Sequence, residues 1–144
     1  MELDSQLIQD CHVLGRLDDA TLLLHRNAAV GWLILVPDTE AVDWHQLDDA
    51  EHERVTAQLR ELTGWTADWF AADKMNVATL GNSVRQMHIH IIARHLNDPC
   101  WPLPVWGFLD SRREYEPAAV EAIQTALARS VDLMLDTPSK RNSS

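Results

Sequence analysis

Gln86-Met87-His88-Ile89-His90-Ile91-Ile92-Ala93-Arg94 reads as a β-strand, clearest over Met87 to Ala93. Strand side chains alternate faces with a period of two. Gln86, His88, His90 and Arg94 therefore share one face with Ile92, and Met87, Ile89, Ile91 and Ala93 share the other. The apolar set predicts a core face. The other set presents two imidazoles roughly 6–7 Å apart, flanked by an amide and a guanidinium.

Upstream of this strand stand a turn at Gly81 and Asn82 and a short candidate strand, Lys74 to Ala78. A long helix is predicted before them. Asp48 and Glu51 form a capping-box start, and Val55, Leu59, Leu62 and Trp69 recur at helical spacing. Gly64 interrupts that pattern and costs about 1 kcal/mol of helix propensity. Further upstream, Cys11 to Leu17 alternates weakly, Thr21 to Leu24 is a short apolar run, and WLILV at Trp32 to Val36 is apolar throughout, closed by Pro37. Arg26 to Gly31 has the length of a hairpin connection. Downstream, NDPCWPLPVWG is dense in proline and tryptophan. Pro117 suits the first turn of a last helix with an apolar face of Val120, Ile123, Leu127, Val131 and Met134. The order is strands, helix, strands, helix. It predicts an α+β fold, an antiparallel sheet of about five strands with a long central helix and a C-terminal helix.

The chain of 144 residues fits one domain, expected over 1–136, with the polar stretch TPSKRNSS at 137–144 as a flexible tail. Hydrophobic residues at 46% and charged residues at 24% exclude global disorder. A net charge of −10 argues against an extended nucleic-acid surface but leaves room for a small phosphate-bearing ligand in a locally positive pocket. No apolar run reaches the roughly 18 residues of a membrane span, and MELDSQLIQDCH lacks the features of a signal peptide. The expectation is a cytoplasmic protein without a membrane partner. Cys11 and Cys100 are far apart and predict buried free thiols.

Two histidines spaced as His-x-His admit three chemistries. They can face solvent or satisfy backbone groups. They can ligate a metal, although His12, His25, His45, His52 and His95 supply no convincing second cluster. Or one imidazole can attack phosphorus while the other orients the phosphate. The turn before the strand adds neutral donors in Asn82 and Ser83, which suit the spread charge of a phosphoryl transition state.

Ser83-Val84-Arg85-Gln86-Met87-His88-Ile89-His90-Ile91-Ile92 resembles the signature of the histidine triad (HIT) superfamily, nucleotide hydrolases and transferases with the motif His-φ-His-φ-His-φ-φ, where φ is apolar. Asn76, Asn82-Ser83-Val84 and WLILVP at 32–37 resemble the flanks of that motif, and the likeness runs from about Cys11 to Gly107. The resemblance implies a nucleotidyl substrate, such as a dinucleoside polyphosphate or a nucleoside phosphoramidate. It makes His88 the nucleophile that becomes nucleotidylated. His90 would contact the phosphate oxygens, and Ser83 and Asn76 would bind phosphate. Asn27, between the second and third strands, would make the ribose contact. Trp101, read from its own chemistry, either walls the pocket or stacks on a base, or, with Trp106, covers the sheet edge or a dimer interface. A homodimer is implied, with no required cofactor or metal, although a polyphosphate can bring Mg²⁺.

Two positions depart from the family pattern. The first triad position is Gln86, as in a bacterial HIT-like branch with Gln-x-His-x-His, and Trp32 stands where the family often has a histidine. Glutamine positions neighbours but does not titrate. A polyphosphate leaving group would suffer less from that change than a phosphoramidate nitrogen, which needs protonation. The alternative is a nucleotide-binding protein with little or no turnover. At the strand's end, Arg94 is expected to be solvated more readily than to serve the site.

Overall fold

The computed structural model describes residues 1–135. The expected tail at 137–144 lies outside the described residues. The elements run α1 (Ser5–Asp10), β1 (Cys11–Leu17), β2 (Ala20–His25), β3 (Gly31–Pro37), α2 (Asp49–Trp69), β4 (Lys74–Ala78), β5 (Ile89–Arg94), α3 (Pro117–Ser130) and β6 (Met134–Leu135). One antiparallel sheet holds six strands in the order β4-β5-β3-β2-β1-β6. The predicted α+β class therefore holds, with a sixth strand and a short N-terminal helix added.

Local chemistry explains each element. Asp48 accepts from the Glu51 amide and Glu51 answers to the Asp48 amide, so the capping box is formed at α2. Such a cap is worth about 1 kcal/mol. It helps α2 run through Gly64 to Trp69 despite the glycine. Pro117 opens α3 as expected. That helix ends at Ser130, and Met134 sits in β6, 74% exposed, instead of extending the helical apolar face. The strand β6 fits against β1 because Gly15 stands there. A Cβ at Gly15 would lie 2.2 Å from the Met134 carbonyl oxygen. The β1–β2 register also shifts between Val13 and Gly15, a local irregularity.

The two faces of the sheet are covered differently. Leu14, Leu22, Leu24, Leu33, Leu35, Ile89 and Ile91 pack with Val55 and Leu62 of α2 and Ile123 and Leu127 of α3. On the other face, Leu23, Trp32, Ile34, Val36 and Ile92 meet Leu7 of α1 and, from the loop after β5, Cys100 and Val105. Both faces being covered explains why β3 is apolar at every position. The histidine face is thus largely buried. Cys11 and Cys100 are buried free thiols.

Candidate functional site

The strand is shorter than expected: β5 begins at Ile89, and Gln86, Met87 and His88 lie in the extended lead-in before it, yet Met87, Ile89 and Ile91 still enter the helix-covered core and Ile92 enters the opposite cluster. His88 and His90 are each 7% exposed, with ring centroids 5.0 Å apart at 74°.

Their hydrogen bonds assign opposite tautomers. His88 Nδ1 lies 2.7 Å from the Gln86 carbonyl oxygen, which can only accept. His88 Nδ1 therefore donates, and the lone pair of the neutral ring sits on Nε2. The Trp32 indole Nε1–H donates to His90 Nδ1 at 3.0 Å. Indole is a donor only, so neutral His90 carries its proton on Nε2. The head of β5 and the residue before it thus offer a lone pair and an N–H donor side by side, a pair able to attack phosphorus and hold its oxygen.

The surroundings keep His90 uncharged. Burial, then the neighbouring His88 and His25 imidazoles, lower its pKa to about 3. His25 is stacked on Trp32 at 4.0 Å and is itself lowered, mainly by burial. Trp106 meets His90 edge-on at 4.9 Å. The sign of the stability effect follows. Between about pH 6.5 and 3 the unfolded chain binds a proton at position 90 that the folded chain refuses, so stability falls as pH drops through that window. Urea titrations at pH 7, 5.5 and 4.5 should show this decline, and a variant His90→Asn should show a shallower one. Equal slopes in the two proteins would refute the assignment.

Arg94 corrects an expectation. It is not solvated: it is 1% exposed, and its guanidinium grips Asp98 through Nε at 2.7 Å and Nη2 at 3.0 Å. Burial pushes the Asp98 carboxyl up, but hydrogen bonds from Arg94 and from the His95 and Cys100 amides outweigh that and bring it to about 2. Arg94 Nη1 also donates to Asn76 Oδ1 at 3.0 Å. Because a guanidinium only donates, the Asn76 amide is fixed with its Nδ2 hydrogens turned away from Arg94. Asn76 pairs with Ile92 across β4 and β5, so it stands on the histidine side of the sheet.

The other predicted residues divide. Asn82 and Ser83 lie exposed on the turn leading to β5, where Gly81 adopts a φ of 72°. Asn27 is buried and serves the backbone. Its Nδ2 donates to the Ser111 carbonyl and its Oδ1 accepts from the Ala29 and Arg113 amides, so it joins two loops and offers no free carbonyl for a ribose. The ring of Trp101 sits 5.6 Å from the Arg94 guanidinium carbon. Trp106, not Trp101, packs on His90. Gln86 directs its amide to the N-terminal segment: Oε1 accepts from the Asp4 amide at 2.8 Å and Nε2 donates to the Glu2 carbonyl at 3.1 Å. Among the described residues no group of three or more His, Cys, Asp or Glu is arranged to hold a metal.

Sequence reasoning missed Trp32 as the partner of His90. The signal was a single bulky donor at the head of an otherwise aliphatic strand, opposite Ile92 in the β3–β5 register. A variant Trp32→Phe keeps most of the ring and deletes the N–H. It should cost about 1–3 kcal/mol, because His90 Nδ1 is left buried without its donor. Urea denaturation together with ¹⁵N spectra of the histidine rings checks this. An unchanged His90 tautomer would contradict the assignment.

The site is a pair of imidazoles with opposite tautomers at the head of β5, on an α+β sheet of this topology. A family model, the HIT domain, matches residues 6–97. The chain belongs to the histidine triad (HIT) family of nucleotide-binding proteins and nucleotide hydrolases. It is similar to a solved histidine triad protein from Bradyrhizobium japonicum, at 33% identity and a TM-score of 0.84, covering 90% of this chain and 97% of that one. A histidine triad protein from Marinobacter aquaeolei is 32% identical, with a TM-score of 0.83 over 91% and 96%. One from Sinorhizobium meliloti is 29% identical, with a TM-score of 0.83 over 90% and 96%. No curated protein matches the chain. No described helix is long and apolar enough to cross a membrane.

Proposed function

We propose that the protein is a nucleotidyl hydrolase or transferase in which His88 Nε2 attacks the α-phosphorus of a dinucleoside polyphosphate or a nucleoside phosphoramidate. The observation that carries this reading is the opposite tautomers of His88 and His90. The N–P bond forms as the bond to the leaving group breaks. Water then cleaves the nucleotidyl-histidine, releasing the nucleoside monophosphate and restoring the imidazole. His90 Nε2–H, the Asn76 amide, Ser83 and Asn82 hold the non-bridging oxygens. These side chains require no metal, and Mg²⁺ enters with a polyphosphate. A cytoplasmic homodimer fits the family, and the free thiols fit a reducing compartment.

Low basicity at His90 and the occupied amide of Gln86 favour a second reading, nucleotide binding with little turnover, because neither group readily protonates a leaving group. One experiment separates them. Wild-type protein is incubated with a diadenosine polyphosphate and with adenosine 5′-phosphoramidate, and released AMP is quantified chromatographically. Release is expected, fastest from the anhydride. AMP binding without release from either compound would favour the second reading.

A further inference from the structure

We propose that Gln86 is a positioning residue that clamps the N-terminal arm, Glu2 to Asp4, against the segment leading into β5, so that the arm becomes a wall of the histidine site. The importance of that wall for turnover rests on the nucleotidyl reading above, while the clamp itself does not.

The clamp is made by paired bonds. Gln86 Oε1 accepts from the Asp4 amide and its Nε2 donates to the Glu2 carbonyl, at 2.8 and 3.1 Å. The two arm groups flank Leu3, as in the bonds that one strand residue exchanges with a neighbouring strand. A carboxamide carries an acceptor and a donor side by side on one edge and can fill both places. An imidazole carries its two nitrogens on different sides of the ring and cannot. A histidine at this position could not hold the arm in this way.

What the clamp holds matters to the site. Leu3 packs on the cluster that contains Trp32, Ile34 and Val36, and Leu7 of α1 is buried within it. Ile34 lies directly opposite His90 in the sheet. Asp4, caught by Gln86 through its amide, also caps α1 by accepting from the Gln6 amide. The main-chain carbonyl of the same Gln86 orients His88. One residue therefore fixes the nucleophile with its backbone and closes the face beside it with its side chain.

The test combines hydrogen exchange with kinetics on full-length variants Gln86→Ala and Gln86→Glu, a chain lacking residues 2–4, and the deletion combined with Gln86→Ala. Melting curves confirm that each is folded. Amides of residues 5–10 should exchange faster in Gln86→Ala, and to a lesser degree in Gln86→Glu, which can accept from Asp4 but cannot donate to Glu2. Turnover should fall about ten- to a hundredfold in Gln86→Ala and equally in the deletion. The combined variant should lose nothing further. Unchanged exchange, or a multiplied loss in the combined variant as expected of a phosphate ligand, would overturn the proposal. Exchange needs no substrate. Absence of turnover in the wild type would sink the nucleotidyl reading, while the arm clamp would still stand or fall by exchange.

Discussion

His88→Ala is expected to reduce AMP release by at least about a thousandfold while leaving the melting temperature within a few degrees of wild type. The size follows from the mechanism. Without the imidazole no N–P bond can form, and what persists is the electrostatic help of the remaining donors, which in other nucleophilic enzymes leaves a small fraction of the rate. The fold should survive because the ring makes one hydrogen bond, to the carbonyl of Gln86 two residues before it, and no β5 ladder bond depends on its side chain. Mass spectrometry after acid-free quenching should find a nucleotidyl adduct on His88 of the wild type and none on the variant. Undiminished release by His88→Ala would remove the nucleophile from the mechanism. Release carried by an adduct on another residue would reassign it.

Arg94→Met is expected to give the largest loss of stability of any single change on the histidine face. Its ion pair with Asp98 is 1% and 4% exposed on the two side chains. Removing one partner strands a buried carboxylate, which costs about 3–5 kcal/mol. For a chain of this size that is roughly a 10–15 °C fall in melting temperature. The loop after β5 should loosen with it, because Asp98 also gathers the His95 and Cys100 amides. Asn76 would lose the contact that sets its amide, so AMP should bind more weakly in the surviving folded protein. Asp98→Asn should be destabilising as well, since it leaves the guanidinium short of its anion. A loss below about 1 kcal/mol in both variants would show that the pair does not support the fold.

Much of this architecture could be read from residue patterns because it depends on neighbours in sequence. The capping box at Asp48 and Glu51 and Pro117 at the start of α3 are local signals, and both hold, while the period of two read from Gln86 holds as a strand only from Ile89 to Arg94. The features that escaped depend on the register between strands. Trp32 and His90 meet because β3 lies beside β5, which no local pattern in either segment states. Arg94 looked like a strand-end cation because its counterion, Asp98, sits in an irregular turn and not on a helix or a facing strand. The strand β6 has two residues and is held by a close approach at Gly15. One clue to the buried histidine face was present: a strand apolar at every position needs cover on both sides.

The strand order has a consequence for how the site comes into being. β1, β2 and β3 follow one another through short turns, whereas β5 reaches its place beside β3 only after the chain has run from Pro37 to Ile89 through α2 and β4. Closing that long excursion carries the greater entropic cost, and such pairings set the pace of folding. His90 rides on the late-arriving strand and His88 just ahead of it, while the indole that fixes His90 waits on the early one. The indole-to-imidazole contact is therefore made only once β5 docks beside β3, well after the β1–β3 meander can form.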